Sequence, residues 1–291
     1  MAKSDLTGSE NSQIIWAVSS TAIVLLIIIS FFVIKAAKDG SSSATDTGSS
    51  AAPAELVTKV TTVPNSVFTT VATGANEALP KLITGAPALT ANNKPSITYI
   101  GAEYCPYCAT ERWPMVIALS RFGTFSNLGV THSSSTDVYP NTQTFSFHGS
   151  SYTSDYINFT AVETKSNIPS AGDFTTLDPL TTDEQNLLNT YDAAPYVPAS
   201  GAGGIPFIDF GGKFLVNGST YDPSLLQGKT ADDIASVLTD ASNSTTQGII
   251  GAANALTATI CSLTNDTPSK VCSDPGIQTL KLQINSQASS N

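Results

Sequence analysis

Apolar and polar positions divide the chain into an uninterrupted apolar run, a polar spacer and a long body of short amphipathic segments. From Ile14 to Ile34, 21 residues pass without a charge, among them Ile23-Val24-Leu25-Leu26-Ile27-Ile28-Ile29. As a helix this stretch would rise about 30 Å, the thickness of a bilayer's hydrocarbon core, which predicts a transmembrane helix over 14–34 behind a short tail, 1–13. Trp16 suits one interface, and Lys35 and Lys38 flank the other end. A cleaved signal peptide is the competing reading. It calls for a shorter apolar region behind a basic stretch, whereas this leader holds Lys3, Asp5 and Glu10, so an uncleaved anchor is expected. Residues 35–52, rich in Ser, Thr and Gly, read as a flexible linker.

The body, 53–282, reads as one α/β domain, with 283–291 as a C-terminal tail. Leu56 to Val60 is expected as a strand and Asn65 to Thr73 as a short helix. The apolar run Ile97 to Gly101 predicts a buried central strand, and Pro106 to Phe122 a helix kinked at Pro114. Leu128 to Thr131 is expected as the next parallel strand. Tyr-, Phe- and Thr-rich alternation predicts further strands at Thr144 to Phe147 and Tyr156 to Val162. Gly203-Gly204-Ile205-Pro206-Phe207-Ile208-Asp209-Phe210, with Pro206 at the head of the strand, then Gly211-Gly212, then Lys213 to Val216 reads as a β-hairpin. Thr181-Thr182-Asp183-Glu184 is a capping-box pattern that opens a helix to about Tyr191, and Thr230 opens another to about Leu238. Gln247 to Leu263 reads as a longer helix with Cys261 in its last turn. No internal repeat is evident.

The chemistry gathers at Cys105-Pro106-Tyr107-Cys108, between the central strand and the helix after it. A cysteine placed there meets unpaired backbone N–H groups and the positive end of the helix dipole, both of which favour an anion. The thiolate is the reactive form, so this placement activates Cys105. Pro106 fits the first helical position, where no N–H is missed. Cys108, one turn on, is near enough to close a disulfide, and the two read as a catalytic thiol–disulfide centre. Zinc sites share the spacing but need two more ligands. Of the remaining candidates, His132 and His148 form no ligand pair, and ten residues separate Cys261 from Cys272. A permanently oxidised structural pair is the blander alternative. Neither a metal nor a cofactor is expected.

Composition narrows the function classes. The net charge is −10 and no basic patch follows the anchor's flank, so nucleic acid would be repelled. There is no glycine-rich phosphate loop of the common kinds and nothing that points to a hydrolytic triad. Cys261 and Cys272 read as a structural disulfide formed in an oxidising compartment, with a relay of electrons to the first pair as the alternative. Lys35 and Lys38 against Lys3 would keep the C-terminal side cytoplasmic, although large domains translocate largely regardless of such a bias. Cysteine usage and the 12% of charged residues argue for export. The expectation is a single-pass protein of the cell membrane with its soluble domain outside the cytoplasm.

Ala102-Glu103-Tyr104-Cys105 resembles the Ala-Glu-Trp-Cys that leads into the thioredoxin motif, and Cys-Pro-Tyr-Cys is similar to the glutaredoxin motif. The string from Tyr99 to Trp113, YIGAEYCPYCATERW, resembles a thioredoxin-like prokaryotic family, often membrane-anchored, that is labelled only as a domain of unknown function. The resemblance covers most of the chain after about residue 53 and implies a fold rather than an activity. That fold is thioredoxin-like, with an insertion between the CxxC helix and a strand headed by a cis-proline, Pro206. It implies that Pro206 faces the cysteines, with Tyr104, Pro106, Tyr107 and Ile205 as the substrate-binding surface. Two departures stand out. Tyr99 occupies the place of the buried acid of thioredoxins, and the nearby Glu103 and Glu111 are expected as solvated charges. The gap from Cys108 to Pro206 is also longer than a minimal thioredoxin needs. The implied function is a membrane-anchored thiol–disulfide oxidoreductase acting on protein or small-molecule disulfides, with protein thiols or disulfides and a membrane or envelope redox partner. A redox-silent binding or scaffold module is the alternative. An exposed Cys105 with a depressed pKa favours the first, a buried and inert Cys105 the second.

Overall fold

The computed structural model describes residues 46–287. The anchor expected over 14–34 lies outside them, and among the described residues no helix is long and apolar enough to cross a membrane. In chain order the elements are β1 (Ser50–Ala51), α1 (Ala54–Thr61), α2 (Asn65–Val71), β2 (Lys81–Leu82), β3 (Thr90–Ala91), β4 (Lys94–Gly101) and α3 (Pro106–Ser120). Then come β5 (Gly123–Ser126), β6 (Gly129–His132), β7 (Gln143–Ser146), β8 (Ser151–Ser154), β9 (Asn158–Glu163), β10 (Lys165–Ser170), β11 (Asp173–Thr176) and α4 (Thr182–Tyr191). The last part holds β12 (Phe207–Phe210), β13 (Phe214–Asn217), a 3-10 turn (Pro223–Leu226), α5 (Ala231–Val237), α6 (Ser244–Leu263), α7 (Ser269–Cys272) and α8 (Pro275–Ser286).

This mixed α/β fold is built around β4. On one side β4 pairs in parallel with β9, from Ser96 opposite Asn158 to Gly101 opposite Glu163. On the other it pairs antiparallel with β12, which continues into β13 and β2. The two-residue period of a strand sends Ile97 and Tyr99 to one face and Ile100 to the other. Ile97 and Tyr99 join the main core with Trp113 and Ile117 of α3 and Ile249 and Leu256 of α6. Ile100, Val162, Phe207 and Leu215 form a second cluster with Tyr191 of α4. Helices therefore cover both faces, which explains why the central strands are apolar on both sides. The turn between β12 and β13 places Gly211 and Gly212 at φ +65° and +67°, a conformation glycine adopts without steric cost.

Several sequence expectations change in the folded chain. Leu56 to Val60 lies in helix α1, not a strand: Leu56 and Val60 are buried four residues apart, and Glu55 and Lys59 pair at 2.9 Å with the same spacing. The strand near Leu128 exists as β6, but it joins β1 and β7 in a separate sheet. The parallel partner of β4 is β9, because strand propensity says that a strand forms and not which edge it takes. The folded unit starts before residue 53. Ser50 and Ala51 pair with Val130 and Gly129, and Gly48 N–H donates to Asn167 Oδ1 at 2.7 Å. It also runs past residue 282, since α8 continues to Ser286 and buries Ile284. Pro114 sits inside α3 without ending it; the Thr110 carbonyl that loses its helical donor accepts instead from the Tyr221 hydroxyl at 3.1 Å.

Cys261, in the last turn of α6, and Cys272, at the end of α7, are joined in a disulfide and fully buried. The bond spans a sequence separation of 11 and closes a short loop. In the chain-entropy view it stabilises the fold by about 2–3 kcal/mol. Replacing both cysteines by alanine is expected to destabilise the fold by about that amount, and so to lower the thermal midpoint, while reactivity at Cys105 is retained. Thermal melts together with a thiol-labelling assay check both parts.

Candidate functional site

Strand β4 delivers the chain to a tight segment, Ala102 to Tyr104, and Cys105 then caps α3. Its backbone is extended, and its side chain takes the role that a serine or aspartate usually has: Sγ accepts from the Cys108 backbone N–H at 3.2 Å. From the other side the Ile205 carbonyl lies 3.5 Å from Cys105 Sγ. The Ile205–Pro206 peptide bond is cis. The loop ahead of it is pinned where Asn217 Nδ2 donates to Asp192 Oδ1 at 2.7 Å, and Gly218 N–H donates to the Pro206 carbonyl at 2.8 Å. Residues a hundred positions apart thus meet at one sulfur.

The residues expected around the cysteines differ in exposure. Pro106 and Pro206 are buried, and Tyr104 is half-buried with its ring stacked on Phe174 at 4.3 Å between centroids. Tyr107 is 40% exposed and stands edge-on to Tyr139. Cys105 is only 4% exposed and Cys108 fully buried, both as free thiols. The exposure expected of an active Cys105 is therefore not found, yet the group is not inert. Burial, the largest single influence, pushes its thiol up. Hydrogen bonds from the Cys108 thiol and N–H, with the charge of Arg112, outweigh it and hold Cys105 below the ordinary cysteine value. Cys108 is driven well above that value by its own burial and by the proton it holds toward Cys105. A thiol that ionises more readily than usual beside one that holds its proton suits a nucleophile and a resolving group.

The acids near the motif are not solvated, contrary to expectation: Glu103 and Glu111 are both fully buried. Glu103 Oε1 accepts from Ser146 Oγ at 2.5 Å. Glu111 accepts from the Thr220 N–H at 2.9 Å and from Thr220 Oγ1 at 2.8 Å, and burial pushes its pKa up to about 8. Sequence reasoning missed Arg112 and Glu163, a fully buried ion pair at 2.6 Å. Arg112 follows Cys108 by four residues and so shares its helix face, a signal that was present. Glu163 arrives from β9 and left none. Among the described residues no three His, Cys, Asp or Glu side chains converge as a metal-ligating set. A cavity of about 360 Å³ opens beside Thr98, Leu187 and Tyr191, on the α4 face, and no cysteine lines it.

A family model described as "Domain of unknown function (DUF929)" matches residues 84–262, well over half of the chain. The chain belongs to this family. The DUF929 segment holds β4, the cysteine turn, Arg112, Glu163, Pro206 and Cys261, and stops before Cys272. No curated protein and no solved structure matches the chain.

Proposed function

We propose that the protein is a membrane-anchored thiol–disulfide oxidoreductase of thioredoxin-like fold, with its domain outside the cytoplasm. The observation that carries this reading is the cysteine turn: Cys105 Sγ caps α3, accepts the Cys108 N–H and faces the carbonyl just before Pro206. The order of strand, CxxC helix, insertion, proline-headed strand and hairpin is the one the thioredoxin resemblance requires. In the reducing direction the Cys105 thiolate attacks one sulfur of a substrate disulfide. A Cys105–substrate S–S bond forms as the substrate bond breaks, and the departing thiolate takes a proton from solvent. Cys108 then gives up its proton and attacks Cys105 Sγ, releasing the second substrate thiol. The enzyme is oxidised by two electrons and the substrate reduced by two. Run backwards, the same steps insert a disulfide, and a membrane or envelope partner restores the starting state. A redox-silent scaffold is the second reading, favoured by the burial of Cys105.

One labelling experiment separates the readings. Intact cells, treated with mild reductant, receive either a membrane-impermeant or a permeant alkylating probe, and purified protein is assayed with a model disulfide. Impermeant label on Cys105 together with turnover is expected. Label from the permeant probe alone reverses the topology to a cytoplasmic reductase. No label on folded protein and no turnover establishes the scaffold.

A further inference from the structure

Beneath the cysteine turn lies a chamber of buried ionisable groups that the steps above do not use. Arg112 Nε donates to Glu163 Oε1 at 2.8 Å, and Nη2 donates to Glu163 Oε2 at 2.6 Å and to the Ala102 carbonyl at 2.7 Å. The guanidinium carbon lies 5.8 Å from the centre of the Tyr99 ring. Glu163 Oε1 also accepts from the Phe147 N–H at 3.3 Å. Three buried polar atoms here have no partner among the described residues: Arg112 Nη1, the Tyr99 hydroxyl and Glu103 Oε2. All three border the Gly101 to Glu103 segment that leads into Cys105. The Tyr99 hydroxyl abuts Gly101 so closely that a Cβ there would collide with it, Arg112 grips Ala102, and Glu103 belongs to the segment.

Such a chamber is poorly explained by stability alone. Well-packed apolar side chains of similar volume often stabilise a fold as much as a buried ion pair, whereas a half-broken pair is costly. A fixed opposite charge nearby does, however, favour the ionised form of a thiol. The groups facing Arg112 are Glu163 from β9, Tyr99 from β4, Cys108 from its own helix and Cys105 at that helix's cap, while Glu103, from the loop, acts on Glu163. His148 and Asp178, paired at 2.9 Å, stand at the rim, where Asp178 Oδ2 accepts from the Glu163 N–H at 3.2 Å.

We propose that Arg112 is a positioning residue for the redox centre: its buried cation sets the charge state of Cys105, and Glu163 both holds the guanidinium in place and limits how much of its charge the thiols feel. The influence of Arg112 on both cysteines runs in this direction. The proposal rests on the oxidoreductase reading for its purpose, but its test reads the thiolate and not turnover.

The test is the rate of Cys105 alkylation by iodoacetamide against pH, on the full chain, with the label assigned by peptide mass. Glu163→Gln and Arg112→Gln are expected to move the midpoint in opposite directions. With Glu163 neutral, the Arg112 charge is unopposed, the midpoint falls and labelling at pH 6 speeds up several-fold. With Arg112 gone, the stranded Glu163 takes up a proton, the midpoint rises and labelling at pH 6 slows about tenfold for each unit of rise. Arg112→Lys, which keeps the charge and loses the fork, is expected to restore most of the wild-type midpoint. If Arg112→Gln does not fold, the neutral double variant Arg112→Met/Glu163→Leu carries the same arm, and its midpoint should lie above wild type. Shifts in the same direction, or no shift in folded variants, overturn the proposal. Opposite shifts without turnover on any disulfide would sink the oxidoreductase and leave this inference standing. Turnover without the shifts would do the reverse.

Discussion

Cys108→Ala is expected to accumulate mixed disulfides through Cys105, and Cys105→Ser to reduce exchange with any model disulfide to the uncatalysed rate. The asymmetry follows from the site. Cys105, at the N-terminus of α3, accepts from the Cys108 N–H, lies against the Ile205 carbonyl and ionises more readily than an ordinary thiol. Cys108 is fully buried and keeps its proton, so it cannot begin the reaction and serves only to end it. Without Cys108 the first S–S exchange still proceeds, and the covalent adduct then has no resolving group. Non-reducing electrophoresis and intact mass of the Cys108→Ala protein, incubated with a peptide disulfide, check the adduct. An absence of adduct together with undiminished turnover in Cys105→Ser would reject the assignment of roles.

The second large effect concerns pH. Glu111 is fully buried, and burial lifts its pKa to about 8 in the folded chain from 4.5 for an ordinary glutamate. The folded state therefore holds a proton that the unfolded chain releases between those values. Stability contributed this way is present below pH 4.5 and is lost as pH rises through 8, a change on the order of 5 kcal/mol. Asp209, raised to about 6 by its burial, acts with the same sign over a lower window. Asp192, also raised to about 6 by its burial, adds in that direction. Opposing them, Glu55, Asp173, Asp233, Asp240 and Asp266 are held below their usual values by hydrogen bonds to neighbouring lysine, serine or threonine side chains. Their contribution disappears only in stronger acid, and being solvent-exposed they weigh little. The thermal midpoint is expected to peak near pH 4.5–5 and to fall steadily toward pH 8. Glu111→Gln should recover stability at pH 8 and change little at pH 4.5. A midpoint that climbs to neutral pH, or a Glu111→Gln protein no more stable than wild type at pH 8, would refute this account.

What could be read along the chain was what neighbours in sequence decide. Cysteines at the junction of an apolar strand and a helix, capping boxes at Thr181 and Thr230, and the double glycine between Phe210 and Lys213 are arrangements of a few consecutive residues. Their physics acts within a turn or two, and each lies where the sequence placed it. The pairing of Cys261 with Cys272 belongs to the same class, because only a short loop separates them. Contacts between distant segments were a different matter. Leu56 and Val60 satisfy a strand or a helix equally well until α1 finds its packing surface. The edge of β4 went to β9 rather than β6, although both carry strand-forming residues. Glu103 and Glu111 read as solvated because a carboxylate ordinarily is; Ser146 and Thr220, brought from far along the chain, supply the hydrogen bonds that let them be buried. The Arg112–Glu163 pair depends on β9 lying beside β4, so the charge beneath the cysteines exists only once the sheet has formed.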